Sequence, residues 1–239
     1  MRKAEHVALL LDFDGTLAEL RPFPSQVRLP KQARHALSRL AGCPRVNVAI
    51  ISGRTLKDLR SKAGVPGVQC LGLHGWEQDG SPRILSKTIL RQIKRARIAE
   101  VRQLRGLPGV WVEDKKAGFA VHFRAASSAV TRRLRKAFQI ALKPYLMDVR
   151  VIRGEKTWEV LPCAVSGKGA AAKRLLAGLP RFTLPICVGD DTTDEEAFKE
   201  LGEGITVRVG RPNRTRARFW LRNPNEIYRF LQRLEEELR

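Results

Sequence analysis

Val7-Ala8-Leu9-Leu10-Leu11-Asp12-Phe13-Asp14-Gly15-Thr16-Leu17 runs from five consecutive apolar residues straight into two carboxylates two positions apart. A continuous apolar run closed by a glycine turn reads as a strand buried on both faces, as in a parallel sheet covered by helices. Charged residues at the C-terminal end of such a strand lie where open α/β sheets bind ligands. A carboxylate there can attack phosphorus, hold a metal or move a proton, and a pair can divide those tasks. Taken alone, the same residues would serve equally as an acidic turn.

Outward from this stretch, residues 46–51, 68–73, 184–188 and 205–209 are further apolar runs of strand length. Helical patterns lie between them. Pro30 opens one that turns Ala33, Ala36, Leu37 and Leu40 inward. Ser166 is expected to cap another that ends at Gly178, and Thr192 with Glu195 has capping-box spacing. A last helix starts at Asn223-Pro224 and carries Ile227, Phe230, Leu231, Leu234 and Leu238 on one stripe. Strands alternating with helices predict an α/β fold, a doubly wound parallel-sheet (Rossmann-like) core.

Residues 86–162 break the rhythm, reading helix, strand, strand, helix, strand, strand. They predict an inserted α+β domain, a cap, within a core made of residues 1–85 and 163–239. Phe119, Val121 and Phe123 share one face of a strand, and Ala120, His122 and Arg124 share the other. Trp158 and Val160 likewise oppose Thr157, Glu159 and Leu161. With helices over the apolar face, a polar sheet face carrying His122, Arg124 and Glu159 remains.

The 239 residues carry a net charge of +21, with 31 arginines among the 45 basic residues. The 83–143 stretch holds 16 basic residues against Glu100, Glu113 and Asp114. Such a surface suits nucleic acid, anionic lipid or anionic small substrates. No stacking array of aromatics lies among those residues, so nucleic acid is not the expected partner. No apolar run approaches membrane-spanning length, and no signal-peptide core follows Met1-Arg2-Lys3. Cys43, Cys70, Cys163 and Cys187 are scattered, as free thiols of a reducing compartment are. A cytoplasmic monomer with no membrane partner is expected.

Three more signals fall at strand ends of the alternating region. Ser52-Gly53-Arg54 offers a hydroxyl and adjacent amides. Ser166-Gly167-Lys168-Gly169 sets an ammonium at a positive helix end. Gly189-Asp190-Asp191-Thr192-Thr193-Asp194 gathers three carboxylates, hard oxygen donors of the kind magnesium takes. Each could be an ordinary turn or cap, but together they are the parts of a phosphoryl-transfer site. Neither a Walker phosphate loop nor a Gly-x-Gly-x-x-Gly dinucleotide turn is present.

This set, in this order, resembles the four motifs of the haloacid dehalogenase superfamily over essentially the whole chain. Leu73-His74-Gly75, Val112 to Lys115, Ala120 to Arg124, Trp158 to Pro162 and Gly189 to Phe198 resemble segments of the trehalose-6-phosphate phosphatases. Phe123 departs from that family's usual tyrosine. The resemblance implies that Asp12 attacks phosphorus and that Asp14 is the general acid and base. It implies Mg2+ on Asp12, the Asp14 carbonyl and Asp190, with Asp191 and Asp194 nearby, and a phosphoryl group held by Ser52, Gly53 and Lys168. Arg54, Glu113, Lys115, His122, Arg124, Lys156 and Glu159 are the expected substrate-binding residues, and the substrate a sugar phosphate, trehalose 6-phosphate first. Two alternatives are a phosphatase of another sugar (sucrose-phosphate or mannosyl-phosphoglycerate type) and a basic nucleic-acid-binding module on a retired phosphatase fold.

Overall fold

A computed structural model describes residues 5–21, 23–80, 85–154, 156–211 and 214–238. In chain order the elements are β1 His6–Leu11, α1 Lys31–Ala41, β2 Val46–Ile51, α2 Leu56–Ala63, β3 Gln69–Leu71, α3 Lys87–Leu104, β4 Trp111–Asp114, β5 Phe119–His122 and α4 Ser128–Leu142. There follow β6 Val149–Gly154, β7 Thr157–Pro162, α5 Lys168–Ala177, β8 Thr183–Gly189, α6 Asp194–Glu200, β9 Ile205–Val209, β10 Phe219–Leu221 and α7 Pro224–Leu238. They form two compact units, Met1–Pro82 with Ser166–Arg239, and Arg83–Val165 between them in sequence.

The larger unit is a parallel sheet ordered β10-β9-β8-β1-β2-β3. Leu9 faces Val48 on one side and Ile186 on the other, so β1 is central. Alternate residues of its strands feed two cores. Val7, Leu9, Leu11, Val48, Ile50 and Val188 pack with Ala33, Leu37 and Leu40 of α1 and Ile227, Leu231 and Leu234 of α7. Leu10, Ala49, Ile51 and Cys187 face Ala171 and Ala172 of α5 and Phe198 of α6. Each buried leucine or isoleucine contributes about 1.5–3 kcal/mol relative to exposure. From β1 the chain winds to β2 and β3 on one side and later to β8, β9 and β10 on the other. The carboxyl ends of β1 and β8 therefore border the switch point of the sheet.

The inserted unit is an antiparallel sheet ordered β4-β5-β7-β6. Phe119, Val121, Trp158 and Val160 on one face pack against Ile93 and Ala96 of α3 and Leu134 and Phe138 of α4. Register places Glu113 opposite Ala120 and Ala120 opposite Glu159, so these share the other face.

Some expected boundaries shift. Ser166 does not cap α5; Gly167 is the N-cap, and the Ser166 hydroxyl accepts instead from Arg174 Nη1 at 3.1 Å. Gly167 lies against the Glu196 carboxylate of α6. Thr192 likewise gives way to Thr193 at the start of α6, and Glu195 accepts from Arg208, Thr215 and the Arg216 amide. The 68–73 run pairs only over β3, because the amides of Leu73 and His74 turn back onto the carbonyls of Arg54 and Ser52. The short strand β10 extends the sheet beyond the five expected runs.

Candidate active site

The turn after β1 is built around Phe13, which is fully buried and leaves Asp12 and Asp14 on either side of it in the chain. The Asp12 amide continues the ladder to the Val188 carbonyl at 2.9 Å, which carries the strand register into the site. Gly15 follows with φ +86, and a β-carbon there would overlap the Asp190 carboxylate. Glycine is required at this point both by the left-handed backbone and by the close approach. Thr16, fully buried, donates from Oγ1 to Asp190 Oδ1 at 3.2 Å. Behind the turn, the Tyr228 hydroxyl of α7 donates to the Leu17 carbonyl at 3.1 Å.

Three carboxylates meet here. Donor oxygens of Asp12, Asp190 and Asp194 lie within 4.8 Å of one another. Lys168, the first residue of α5, donates from Nζ to Asp12 Oδ1 at 2.5 Å and to Asp194 Oδ1 at 2.8 Å. Burial raises the Asp12 pKa to about 7 against the pull of Lys168, and the neighbouring Asp194 adds to the rise. Burial likewise lifts Asp190 well above the ordinary carboxylate range, with Asp12 and Asp194 adding repulsion. Burial by itself lowers the Lys168 pKa, but Asp12 and Asp194 outweigh it and hold the ammonium above its ordinary value. Like charges packed this closely in a low dielectric are relieved by a cation. An all-oxygen donor set of carboxylates fits a hard divalent ion such as Mg2+.

Asp14 has a different environment. Arg54 Nε donates to its Oδ2 at 2.7 Å and Nη2 to its Oδ1 at 2.6 Å, a bidentate fork. The same guanidinium donates to Asp58 Oδ2 at 2.6 Å and to the Pro24 carbonyl at 3.0 Å. Arg54, expected among the substrate-binding residues, is thus committed to Asp14. Ser52 is buried at the end of β2, where its Oγ accepts the Arg54 amide at 3.2 Å with Gly53 between them. Asp191 Oδ1 accepts the Thr192 amide at 2.7 Å, and Asp191 is not among the three clustered carboxylates.

On the polar face of the inserted sheet, Lys115 Nζ donates to Glu159 Oε1 at 2.8 Å, both side chains being buried. His122 Nε2 lies 2.8 Å from Glu113 Oε2, and its Nδ1 lies 3.3 Å from Thr157 Oγ1. Burial pushes the Glu113 carboxyl up, but His122 and Lys115 outweigh it and hold it below its usual value. Four of the seven expected substrate-binding residues therefore meet on one face. Lys156 sits at the β6–β7 turn with φ +60, its carbonyl accepting the Phe123 amide at 3.0 Å. Arg124 follows Phe123, past the end of β5, so strand alternation does not set its direction. Thr16, Asp58, Trp111 and Thr157 were not singled out from sequence as site residues. Thr16 had a signal in its place beside Asp14, and Asp58 in its i+4 spacing from Arg54.

With this geometry in hand, the model of the trehalose-phosphatase family matches residues 10–215. The chain belongs to that family. A trehalose-phosphate phosphatase of Mycobacterium bovis is 34% identical over 252 aligned positions, covering 99% of this chain and 63% of the relative. This chain thus spans less than two thirds of that relative's length. A probable trehalose-phosphate phosphatase H of Arabidopsis thaliana is 30% identical, covering 99% of this chain and 74% of that protein. Among solved structures, the C-terminal domain of the Candida albicans trehalose-6-phosphate phosphatase superposes with a TM-score of 0.87 at 24% identity. That match covers 99% of this chain and 94% of the domain. A subclass IIB sugar phosphatase of the haloacid dehalogenase superfamily shares the fold at a TM-score of 0.60 and 14% identity. Among the described residues, no helix is long and apolar enough to cross a membrane.

Proposed function

We propose that this chain is a Mg2+-dependent phosphatase that hydrolyses trehalose 6-phosphate to trehalose and phosphate. The observation that carries the reading is the Asp12–Asp190–Asp194–Lys168 cluster at the carboxyl ends of β1 and β8, in a chain of the trehalose-phosphatase family. Asp12 is the nucleophile: its carboxylate oxygen forms a bond to phosphorus as the bond to the sugar oxygen breaks. Asp14 gives a proton to the departing oxygen, then takes one from the water that attacks the aspartyl phosphate. That second attack breaks the bond to Asp12 and releases phosphate. Arg54 orients Asp14 through its two hydrogen bonds. Ser52, the Gly53 backbone and Lys168 hold the phosphoryl oxygens and balance their charge.

Mg2+ would be held by Asp12, the Asp14 carbonyl and Asp190, with Asp191 and Asp194 nearby. It would neutralise charge on the phosphoryl group. In this reading residues 86–162 are a cap for substrate recognition, and Glu113, Lys115, His122 and Glu159 take sugar hydroxyls, with Arg124 and Lys156 at the margin. Charge-assisted hydrogen bonds from such groups suit a ligand rich in hydroxyls. The protein works in the cytoplasm as a monomer.

Phosphate release over a panel of sugar phosphates, with Mg2+ and after chelation, tests the proposal. Trehalose 6-phosphate should lead the panel, and chelation should abolish turnover. Comparable rates on every sugar phosphate would sink the trehalose assignment, and no release from any would sink the enzyme reading.

A further inference from the structure

Trp111 opens β4 on the polar face of the inserted sheet, two residues before Glu113 and directly opposite His122. Its ring lies flat on the imidazole, with centroids 4.0 Å apart and planes 12° from parallel. The residue is nevertheless 39% exposed. Val112 turns to the apolar core, so Trp111 and Glu113 share the outer face by strand alternation. His122 is fixed from two sides, by Glu113 at Nε2 and Thr157 at Nδ1, and so backs the indole as a rigid plate.

A pyranose ring has a rim of hydroxyls and two faces of C–H groups. The rim needs donors and acceptors; the C–H face needs an electron-rich plane, which an indole supplies. Glu113, two residues further along β4, lies on the same sheet face as Trp111. The two requirements of one sugar ring are therefore met side by side. We propose that Trp111 is a stacking platform for one hexose ring of the substrate, with His122 as the residue that holds it flat. This rests on the reading of the inserted unit as the sugar-recognition domain.

The test measures trehalose binding by calorimetry and KM for trehalose 6-phosphate on the full-length chain. Trp111→Leu keeps apolar bulk against His122 but removes the π face, whereas Trp111→Phe keeps one. Trp111→Leu should weaken trehalose binding and raise KM by about tenfold, the size of a lost aromatic stack, and Trp111→Phe should recover most of both. The loss on trehalose 6-phosphate should exceed that on glycerol phosphate, whose leaving group has no ring. A merely structural role predicts equal losses on the two substrates and a lowered melting temperature, and that result overturns the platform. Wild-type turnover of trehalose 6-phosphate with no effect of Trp111→Leu would also overturn it while leaving the phosphatase reading intact. If the wild-type chain neither turns over trehalose 6-phosphate nor binds trehalose, both fall together.

Discussion

The two polar clusters of this molecule handle charge in opposite ways. Around Lys168 three carboxylates crowd within 4.8 Å, and burial raises Asp12 and Asp190. On the inserted sheet each carboxylate has its own donor: Lys115 for Glu159, His122 for Glu113. The first cluster carries an excess of negative charge that favours a cation and the phosphoryl group bound with it. The second is arranged pair by pair, each carboxylate held by one neighbouring donor. The proposed division of chemistry and recognition between the two units would rest on that difference.

Substitutions in each cluster put that contrast to the test. The largest effect is expected from Asp12→Asn, which should cut kcat by roughly 10³-fold or more with the circular dichroism unchanged. A variant keeping a tenth of the activity would remove Asp12 as nucleophile. Arg54→Ala should lower kcat by about 10²-fold with a smaller change in KM, because it releases the acid–base group rather than the substrate. A change confined to KM would instead return Arg54 to substrate binding. Glu159→Ala should cost about tenfold or more in kcat/KM on trehalose 6-phosphate, and less on glycerol phosphate. It also leaves Lys115 buried without its carboxylate, so thermal stability should drop as well. Equal losses on both substrates would take Glu159 out of the sugar site.

The last effect leaves turnover untouched and concerns Glu100, which lies on the buried stripe of α3 with neither carboxyl oxygen hydrogen-bonded. Burial raises its pKa to about 8 from the ordinary 4.5. The folded chain therefore binds the proton more tightly than the unfolded one. Its share of stability is fully present below about pH 4.5 and is lost as pH rises towards 8, by up to about 1.4 kcal/mol per unit. Glu100→Gln should flatten urea midpoints between pH 5 and 8. A pH slope equal to that of the wild type would show that Glu100 ionises elsewhere in its range.

Much of the larger unit was legible because its signals are local. An apolar run leading into Asp12 specifies both a buried strand and the edge where its charges emerge. The cap was legible as period-two alternation, which put His122 and Glu159 on one face. Partners were not legible. Ser52-Gly53-Arg54 reads as a phosphate loop with a substrate arginine, yet the guanidinium turns to Asp14 and Asp58, 40 and 4 residues away. Ser166 and Thr192 have capping chemistry, but the Ser166 hydroxyl is taken by Arg174 and the Glu195 carboxylate by Arg208.

Hydrophobic period and motif spacing are properties of neighbouring residues, so the sequence alone determined the run of strands along the chain and the inserted unit. Only the tertiary structure decided that Asp194 joins Asp12 and Asp190, that Arg54 holds Asp14, and that Trp111 lies flat on His122. Those contacts depend on side chains far apart in sequence meeting at distances of a few ångströms. Burial and pairing there set which group is charged and which is engaged, and no local pattern encodes either.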